Sequence, residues 1–100
     1  MFTTLSFGPQ QCPAGFTQTA AVAYEGVTIV SCGIENRGYN GDLAVTQLYT
    51  GSATTASAQV RNNGRLAADW LLWVVVYAED GATVSADDAE VHVSQAPVRA

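Results

Sequence analysis

The chain has 100 residues, which is enough for one domain with a single hydrophobic core. Nine acidic residues, four arginines and no lysine give a net charge of −5. This charge would repel a phosphate backbone, so nucleic acid is not an expected partner. Without lysine the chain has no Schiff-base nucleophile, no phosphate-loop lysine and no lysine–asparagine crosslink. No basic residue precedes Arg37, so no secretory signal peptide is predicted.

Short apolar runs separated by Gly, Pro, Asn and Asp predict an all-β fold, because this spacing is typical of a β-sandwich or barrel. Strands are predicted, in chain order, at residues 2–7, 17–24, 27–33, 43–50, 54–60, 70–79 and 90–95, with residues 82–85 as a further candidate. We expect a β-sandwich of about seven strands, with a jelly roll or a small viral β-barrel as alternatives. Residues 1–100 are expected to form one domain, in which residues 1–16 are a candidate N-terminal arm.

Glycines mark two predicted tight turns. Glu25-Gly26 is expected to close a two-residue hairpin between the second and third strands, because glycine supplies the positive φ that such a turn needs. Asp80-Gly81 is expected to turn the chain in the same way after the sixth strand. The small polar segment 50–58 is predicted to be a strand near a sheet edge, since a linker there would split a domain that has one core.

Two loops, at residues 35–42 and 61–65, carry the most distinctive predicted surface chemistry because they combine arginine with Asn and Gly. The candidate contact residues on these loops are Arg37, Tyr39, Asn40, Arg61 and Arg65.

Cys12 and Cys32 are the two cysteines, and their spacing matches no metal-binding pattern. Cys12 lies in a predicted loop and Cys32 in a predicted strand. The sequence leaves two alternatives open: a disulfide that ties the loop to the core, or two buried thiols.

The apolar run within residues 69–80 predicts the central strand of the fold. Its eight apolar residues are far short of the ~20 that a membrane helix needs, and its valines and tryptophans favour a strand. Both faces of this strand are apolar. One face consists of Trp70, Leu72, Val74, Val76 and Ala78, and the other of Leu71, Trp73, Val75 and Tyr77.

A two-sheet sandwich covers only one face of each strand, so the second apolar face needs another cover. The set that begins with Leu71 would present a patch on the order of several hundred Å2, worth roughly 5–10 kcal/mol when it is covered. Two alternatives could cover this face. One is the chain's own N-terminal part, either residues 2–7 or the loop at Cys12, and the other is a neighbouring subunit. In the second case the predicted interface residues are Phe2, Leu5, Phe7, Leu71, Trp73, Val75 and Tyr77.

Residues 72–94, L-W-V-V-V-Y-A-E-D-G-A-T-V-S-A-D-D-A-E-V-H-V-S, resemble the last hairpin of fibronectin type III and related immunoglobulin-like modules. The segment L-A-V-T-Q-L-Y-T-G at residues 43–51 is loosely similar to the third strand of such a module. The resemblance implies an immunoglobulin-like sandwich in which Val91 and Val93 close the sheet beside the central strand. The family's tryptophan on the second strand is absent, and no cysteine matches the immunoglobulin inter-sheet pair.

His92 is the only histidine, and its neighbours in the strand alternation are Glu90 and Ser94, so a surface histidine is favoured over a general base. The acidic residues around the last predicted turn lack the D-x-D-x-D-G order of a calcium loop, which favours a solvated rim over a Ca2+ site. This set comprises Glu79, Asp80, Asp87, Asp88 and Glu90. No catalytic residue, cofactor or metal site is predicted.

These observations favour a non-enzymatic assembly protein that binds other protein subunits or further copies of itself. The expected setting is a bacteriophage virion, in which the chain acts as a capsid decoration (cement) protein without nucleic-acid or membrane contacts. The alternative is a carbohydrate-binding or adhesive immunoglobulin-like module that uses Tyr39 and Asn40 as contacts.

Overall fold

The computed structural model describes residues 1–37 and 42–98. It consists of seven strands and one short 3-10 helix, Ala86–Asp88. The strands are β1 (Phe2–Cys12), β2 (Phe16–Ala23), β3 (Thr28–Asn36), β4 (Leu43–Ser52), β5 (Thr55–Asn62), β6 (Ala68–Tyr77) and β7 (Glu90–Pro97). They form two antiparallel sheets, a three-stranded one with the order β1-β6-β3 and a four-stranded one with the order β4-β5-β2-β7. The predicted all-β class and the two-sheet sandwich are confirmed.

Each of the seven predicted strands is present, with the largest change in β1. This strand continues to Cys12 because a bulge between Phe7 and Gln10 absorbs Gly8 and Pro9 without ending the pairing with β6. Residues 2–12 are therefore an edge strand of the three-stranded sheet and not a separate arm. Residues 82–85 do not form a strand.

The chain changes sheets at every connection between strands except one, the β4–β5 hairpin. The predicted hairpin at Glu25-Gly26 is therefore wrong: Gly26 has the expected positive φ of 92°, but the turn carries the chain from one sheet to the other. Gly81, with a φ of 86°, lies in a turn that the Ala82 N–H closes by donating to the Glu79 carbonyl at 3.0 Å. Beyond this turn the chain again changes sheets, so β6 and β7 do not form the last hairpin that the resemblance implies.

Residues 50–58 form the end of β4, the turn after it and the start of β5. This segment is therefore part of the sheet, as predicted, and not a linker. Its residues Ala56 and Ala58 lie on β5, one strand in from the edge, and are 2% and 1% exposed. These small side chains share the core with the larger Trp70 and Leu72 of the other sheet. The two layers can interdigitate because small side chains face large ones.

The core face of β6 is the set that begins with Trp70. Trp70, Leu72, Val74 and Val76 are each 0% exposed, and Ala78 is 4% exposed. The odd-numbered residues of β6 consequently point outward, because successive side chains of a strand alternate between the two faces of a sheet.

Two buried amides tie the sandwich together. Gln18 is 4% exposed; its Oε1 accepts from Trp70 Nε1 at 2.7 Å, and its Nε2 donates to the Gln11 carbonyl and to Gln95 Oε1, both at 3.0 Å. Asn62 is fully buried and donates from Nδ2 to the Cys12 carbonyl at 3.0 Å. These bonds satisfy polar groups that would otherwise be costly to bury.

Candidate functional site

The candidate site is the outer face of the three-stranded sheet, which we call the aromatic face. Its centre is the outward side of β6, and the register of the sheet places β1 and β3 residues beside it. Trp73 lies between Ser6 of β1 and Gly33 of β3, and Val75 lies between Thr4 and Ser31. The aromatic face thus brings together apolar residues of β6 and small polar residues of its neighbours.

One end of the aromatic face is an aromatic pair. Phe2 and Tyr77 are cross-strand partners, and their ring centroids lie 5.1 Å apart with the planes at 62° to each other. This edge-to-face geometry is the one that aromatic quadrupoles favour. The pair remains accessible, because Phe2 is 66% and Tyr77 is 44% exposed.

The centre of the aromatic face is Trp73, whose ring lies over Gly33. A Cβ atom at position 33 would overlap the six-membered ring of Trp73, so only glycine allows the indole to lie against the sheet. Gly33 is buried in this way and Trp73 is half-buried. The packing fixes the indole while part of it stays open to a partner.

The other end of the aromatic face is charged. Arg37 Nε and a carboxylate oxygen of Glu35 lie 3.4 Å apart, with side chains that are 52% and 56% exposed. These two residues line a shallow depression of about 490 Å3 together with Thr4, Ser6, Leu71, Trp73 and Val75. An ion pair this exposed contributes little to stability, because solvent screens it. The guanidinium of Arg37 and the carboxylate of Glu35 are therefore both accessible beside the indole of Trp73, where they could make polar contacts with a partner.

Two of the predicted interface residues do not belong to this surface, and a third, Leu71, lines its depression but is nearly covered. Leu5 and Phe7 are 8% and 5% exposed and point into the core, because β1 pairs in the sheet instead of folding over it. Leu71 points outward but is only 6% exposed. It lies between Glu35 on β3 and the bulge of β1, so its neighbours in the sheet cover it.

The predicted loop contacts are dispersed. Arg37 joins the aromatic face, while Arg61 at the end of β5 and Arg65 in the following loop are exposed elsewhere. Tyr39 and Asn40 lie outside the described residues.

The alternative of a disulfide is not realised: Cys12 and Cys32 are free thiols. They lie on opposite sides of β6, where Cys12 is level with Ala68 and Cys32 with Val74, too far apart for a disulfide bridge. Burial raises the pKa of both thiols, and a hydrogen bond with the backbone of Asn62 lowers that of Cys12 in part. The Cys12 thiol donates to the Phe16 carbonyl at 3.4 Å. Both cysteines are therefore protonated packing residues at neutral pH.

His92 is exposed on the outward side of β7, in the same alternation as Glu90 and Ser94. The acidic residues around the last turn are exposed as well. Within residues 1–37 and 42–98, no three His, Cys, Asp or Glu side chains are grouped so that they could hold a metal ion.

The sequence interpretation missed the polar part of the aromatic face, which is Thr4, Ser6, Gly33 and Glu35. The alternation of residues 2–7 contained a signal for Thr4 and Ser6, since these residues share a side with Phe2 and oppose Leu5 and Phe7. No comparable signal marks Gly33, because the need for glycine arises only when β3 and β6 are paired in this register.

Comparison with known proteins finds no match: no protein-family model, curated protein or solved structure matches the chain. Among the residues that the structure describes, no helix is long and apolar enough to cross a membrane.

Proposed function

We propose that the chain is a non-enzymatic assembly protein that docks on other protein subunits through the aromatic face. The observation that carries this proposal is the exposure of Phe2 and Tyr77 next to the half-buried Trp73 and Val75. Large aromatic side chains that cluster on one surface are the residues that dominate protein interfaces. With aromatic side chains of roughly 150–250 Å2 each, the accessible part is on the order of 300 Å2. Covering it is worth about 7 kcal/mol at ~25 cal/mol per Å2.

The opposite side of the molecule supports the same proposal. The outer face of the four-stranded sheet consists mainly of small or polar residues, among them Thr17, Thr19, Ala21, Ala23, Ser57, Gln59, Ser94 and Ala96, together with the charged Arg61 and Glu90. The outer faces of the two sheets therefore differ: one carries the aromatic face, and the other is mainly small and polar, with Tyr49 as an exposed aromatic residue. A protein that sits on the outside of a large particle needs this two-sided distribution, with the apolar side toward the particle.

The setting that we propose is a bacteriophage virion, with the chain as a capsid decoration (cement) protein. What supports this setting is an all-β domain with a net charge of −5, no lysine and an aromatic face that is suited to docking. An acidic surface repels packaged nucleic acid, so the chain would contact the protein shell of the particle and not its genome. Decoration through the aromatic face would orient every copy in the same way on the particle.

We further propose that the domain is a variant of the immunoglobulin-like sandwich. The support is the strand order: β2-β5-β4 and β6-β3 correspond to the strand orders B-E-D and F-C of a constant-type immunoglobulin sandwich. The terminal strands differ, because β1 takes the place of the last strand beside β6 and β7 takes the place of the first strand beside β2. Such an exchange leaves the other five strands, β2 to β6, in the places that the family gives them.

The proposal is tested on gradient-purified particles from the source culture. Mass spectrometry is expected to find the chain in the particles, and particles lacking it are expected to bind the purified protein in a co-sedimentation assay. Tyr77→Ser should weaken this binding roughly tenfold or more, because an interface aromatic is typically worth 1–2 kcal/mol or more.

The matched control is Tyr49→Ser. Tyr49 is 54% exposed on β4, on the outer face of the other sheet, so the same chemical change there should leave binding within about twofold. Absence of the chain from purified particles contradicts the virion setting. Equal binding by the two variants contradicts docking through the aromatic face.

A second candidate function, carbohydrate binding, is favoured by one observation. Trp73 lies against Gly33 with Glu35, Arg37 and Ser6 around it, and an indole held flat beside polar side chains is suited to stack on a sugar ring. Glycan-array binding that Trp73→Ala abolishes would favour this function over subunit docking. A fully folded protein that binds no glycan on the array would count against it.

A further inference from the structure

The sandwich has four edge strands among its described residues: β1 and β3 in one sheet, β4 and β7 in the other. Three of them are irregular. β1 is bulged after Phe7, β3 after Ile29, and β4 both after Val45 and after Thr50. Bulges of this kind prevent an edge from pairing with another strand. β7 pairs with β2 over its full length without a register shift, so it is the regular edge of the molecule.

β7 also carries apolar side chains that the sandwich does not cover. All of its residues are exposed, and Val91 and Val93, which share the inward side with Val22 and Ala20 of β2, are 42% and 40% exposed. The four-stranded sheet therefore extends past the three-stranded sheet on this side. Its inner surface remains open there.

The direction of the β7 backbone groups follows from the proline at its end. The Val98 N–H donates to the Gly15 carbonyl at 2.7 Å, and Pro97, level with Phe16, has no N–H of its own. Hydrogen-bonded and non-bonded pairs alternate along an antiparallel ladder. The N–H and C=O groups of Val91, Val93 and Gln95 consequently point away from β2, toward the free edge.

We propose that β7 is a self-pairing edge, at which two copies of the chain join antiparallel to form a continuous eight-stranded sheet. Centred on Val93, the pairing matches residue 91 with residue 95 of the second copy and Val93 with Val93. The outward backbone groups of three residues on each copy then face each other as donors and acceptors. The inward valines of both copies become neighbours on one surface, which removes exposed apolar area from both overhangs.

The distribution of charge along β7 favours a second copy of the chain as the partner at this edge. Glu90 is the only acidic residue of β7, and in this register it lies opposite Ala96 of the second copy. The two Glu90 side chains are then about 20 Å apart, at six residues of ~3.3 Å each. His92 lies opposite Ser94, so no like charges meet along an edge of a chain whose net charge is −5. The aromatic face takes no part in this contact, so the proposal does not rest on the docking function.

Sedimentation of the purified full chain over a concentration series tests the proposal. The wild-type protein is expected to shift from the 10.5 kDa monomer to a species of twice that mass. Val93→Lys should weaken dimerisation about tenfold or more, because it places two like charges directly opposite each other at the centre of the contact. Hydrogen exchange should show protection of the amides of Val91, Val93 and Gln95 that depends on protein concentration.

Leu48→Lys is the matched control, since Leu48 is 42% exposed on the inward side of the bulged edge β4. This variant is expected to dimerise like the wild type. A wild-type protein that stays monomeric at every concentration overturns the proposal. A dimer that Tyr77→Ser dissociates and Val93→Lys does not also overturns it, because the copies then associate through the aromatic face.

Discussion

Replacing Gln18 by leucine is expected to lower the free energy of unfolding by about 3 kcal/mol. The substitution keeps the size of the side chain but leaves the buried Trp70 Nε1–H and the Gln11 carbonyl without the amide that now bonds them at 2.7 and 3.0 Å. Each buried polar group left without a partner costs roughly 1–3 kcal/mol. Thermal unfolding should show a drop in Tm on the order of 15 °C for a domain of this size. The NMR signal of the Trp70 indole proton should shift as its hydrogen bond is lost.

Gln59→Leu makes the same chemical change at a position that solvent can reach. Gln59 is half-buried on the outer face of β5, where its Nε2 donates to Thr19 Oγ1 at 3.1 Å and its Oε1 accepts from Thr46 Oγ1 at 2.8 Å. Water can replace the lost amide there, so the expected cost is below about 1 kcal/mol. If both variants lose the same stability, Gln18 does not bond the two sheets in the way that its contacts indicate.

Strand positions were predictable because the residues between the strands are strong turn formers. Glycine and proline interrupt the apolar runs at nearly every connection, and the runs themselves are rich in β-branched residues. The exception is β1, where Gly8 and Pro9 look like the end of a strand. They instead form a bulge inside a strand that continues to Cys12. A local signal cannot distinguish a bulge from a turn, because the difference lies in whether β6 continues to pair on the far side.

Sheet membership was not predictable from the same signals. Gly26 and Gly81 adopt the positive φ that their turns require, yet neither turn joins two paired strands. A two-residue turn fixes a reversal of the chain but not the layer in which the next strand lies. That layer depends on which faces bury together, and the core is assembled from residues as distant in sequence as Leu5, Val60 and Val76. The hairpin of β6 and β7 that the resemblance implies is therefore wrong, although both strands lie where they are predicted.

The candidate site was predictable in its apolar half. Period-2 alternation separated Trp73 and Tyr77 from the core residues Trp70 and Leu72, and the structure assigns the two sets to opposite faces. In residues 2–7 the same alternation puts Leu5 and Phe7 on one side of the strand, and pairing of β1 with β6 turns that side inward, so these two predicted interface residues lie in the core. Glu35 joins the aromatic face only because β3 and β6 pair with Glu35 beside Leu71.

Gly33→Ala is expected to destabilise the protein by about 1–3 kcal/mol and to displace the indole of Trp73 from the sheet. The added Cβ would overlap the ring, and the neighbouring β6 backbone is held in the sheet by β1 and β3, so the side chain has to move outward. Chemical denaturation measures the loss of stability, and a red shift of tryptophan fluorescence in the folded state reports greater exposure of Trp73. Unchanged stability and fluorescence would contradict the close packing of these two residues.

The same substitution in a Trp73→Ala background separates packing from backbone effects. The three atoms nearest to the new methyl group all belong to the indole, so removing the indole removes this overlap, and alanine loses less chain entropy than glycine on entering a strand. Gly33→Ala should then be neutral or slightly stabilising, so the effect reverses its sign between the two backgrounds. Such a reversal is a coupling between neighbours, which sites more than about 7–10 Å apart do not show. The same cycle bears on the proposed function, because the docking that we propose uses the indole that Gly33 holds against the sheet. Gly33→Ala should therefore weaken binding to particles even where the variant remains folded.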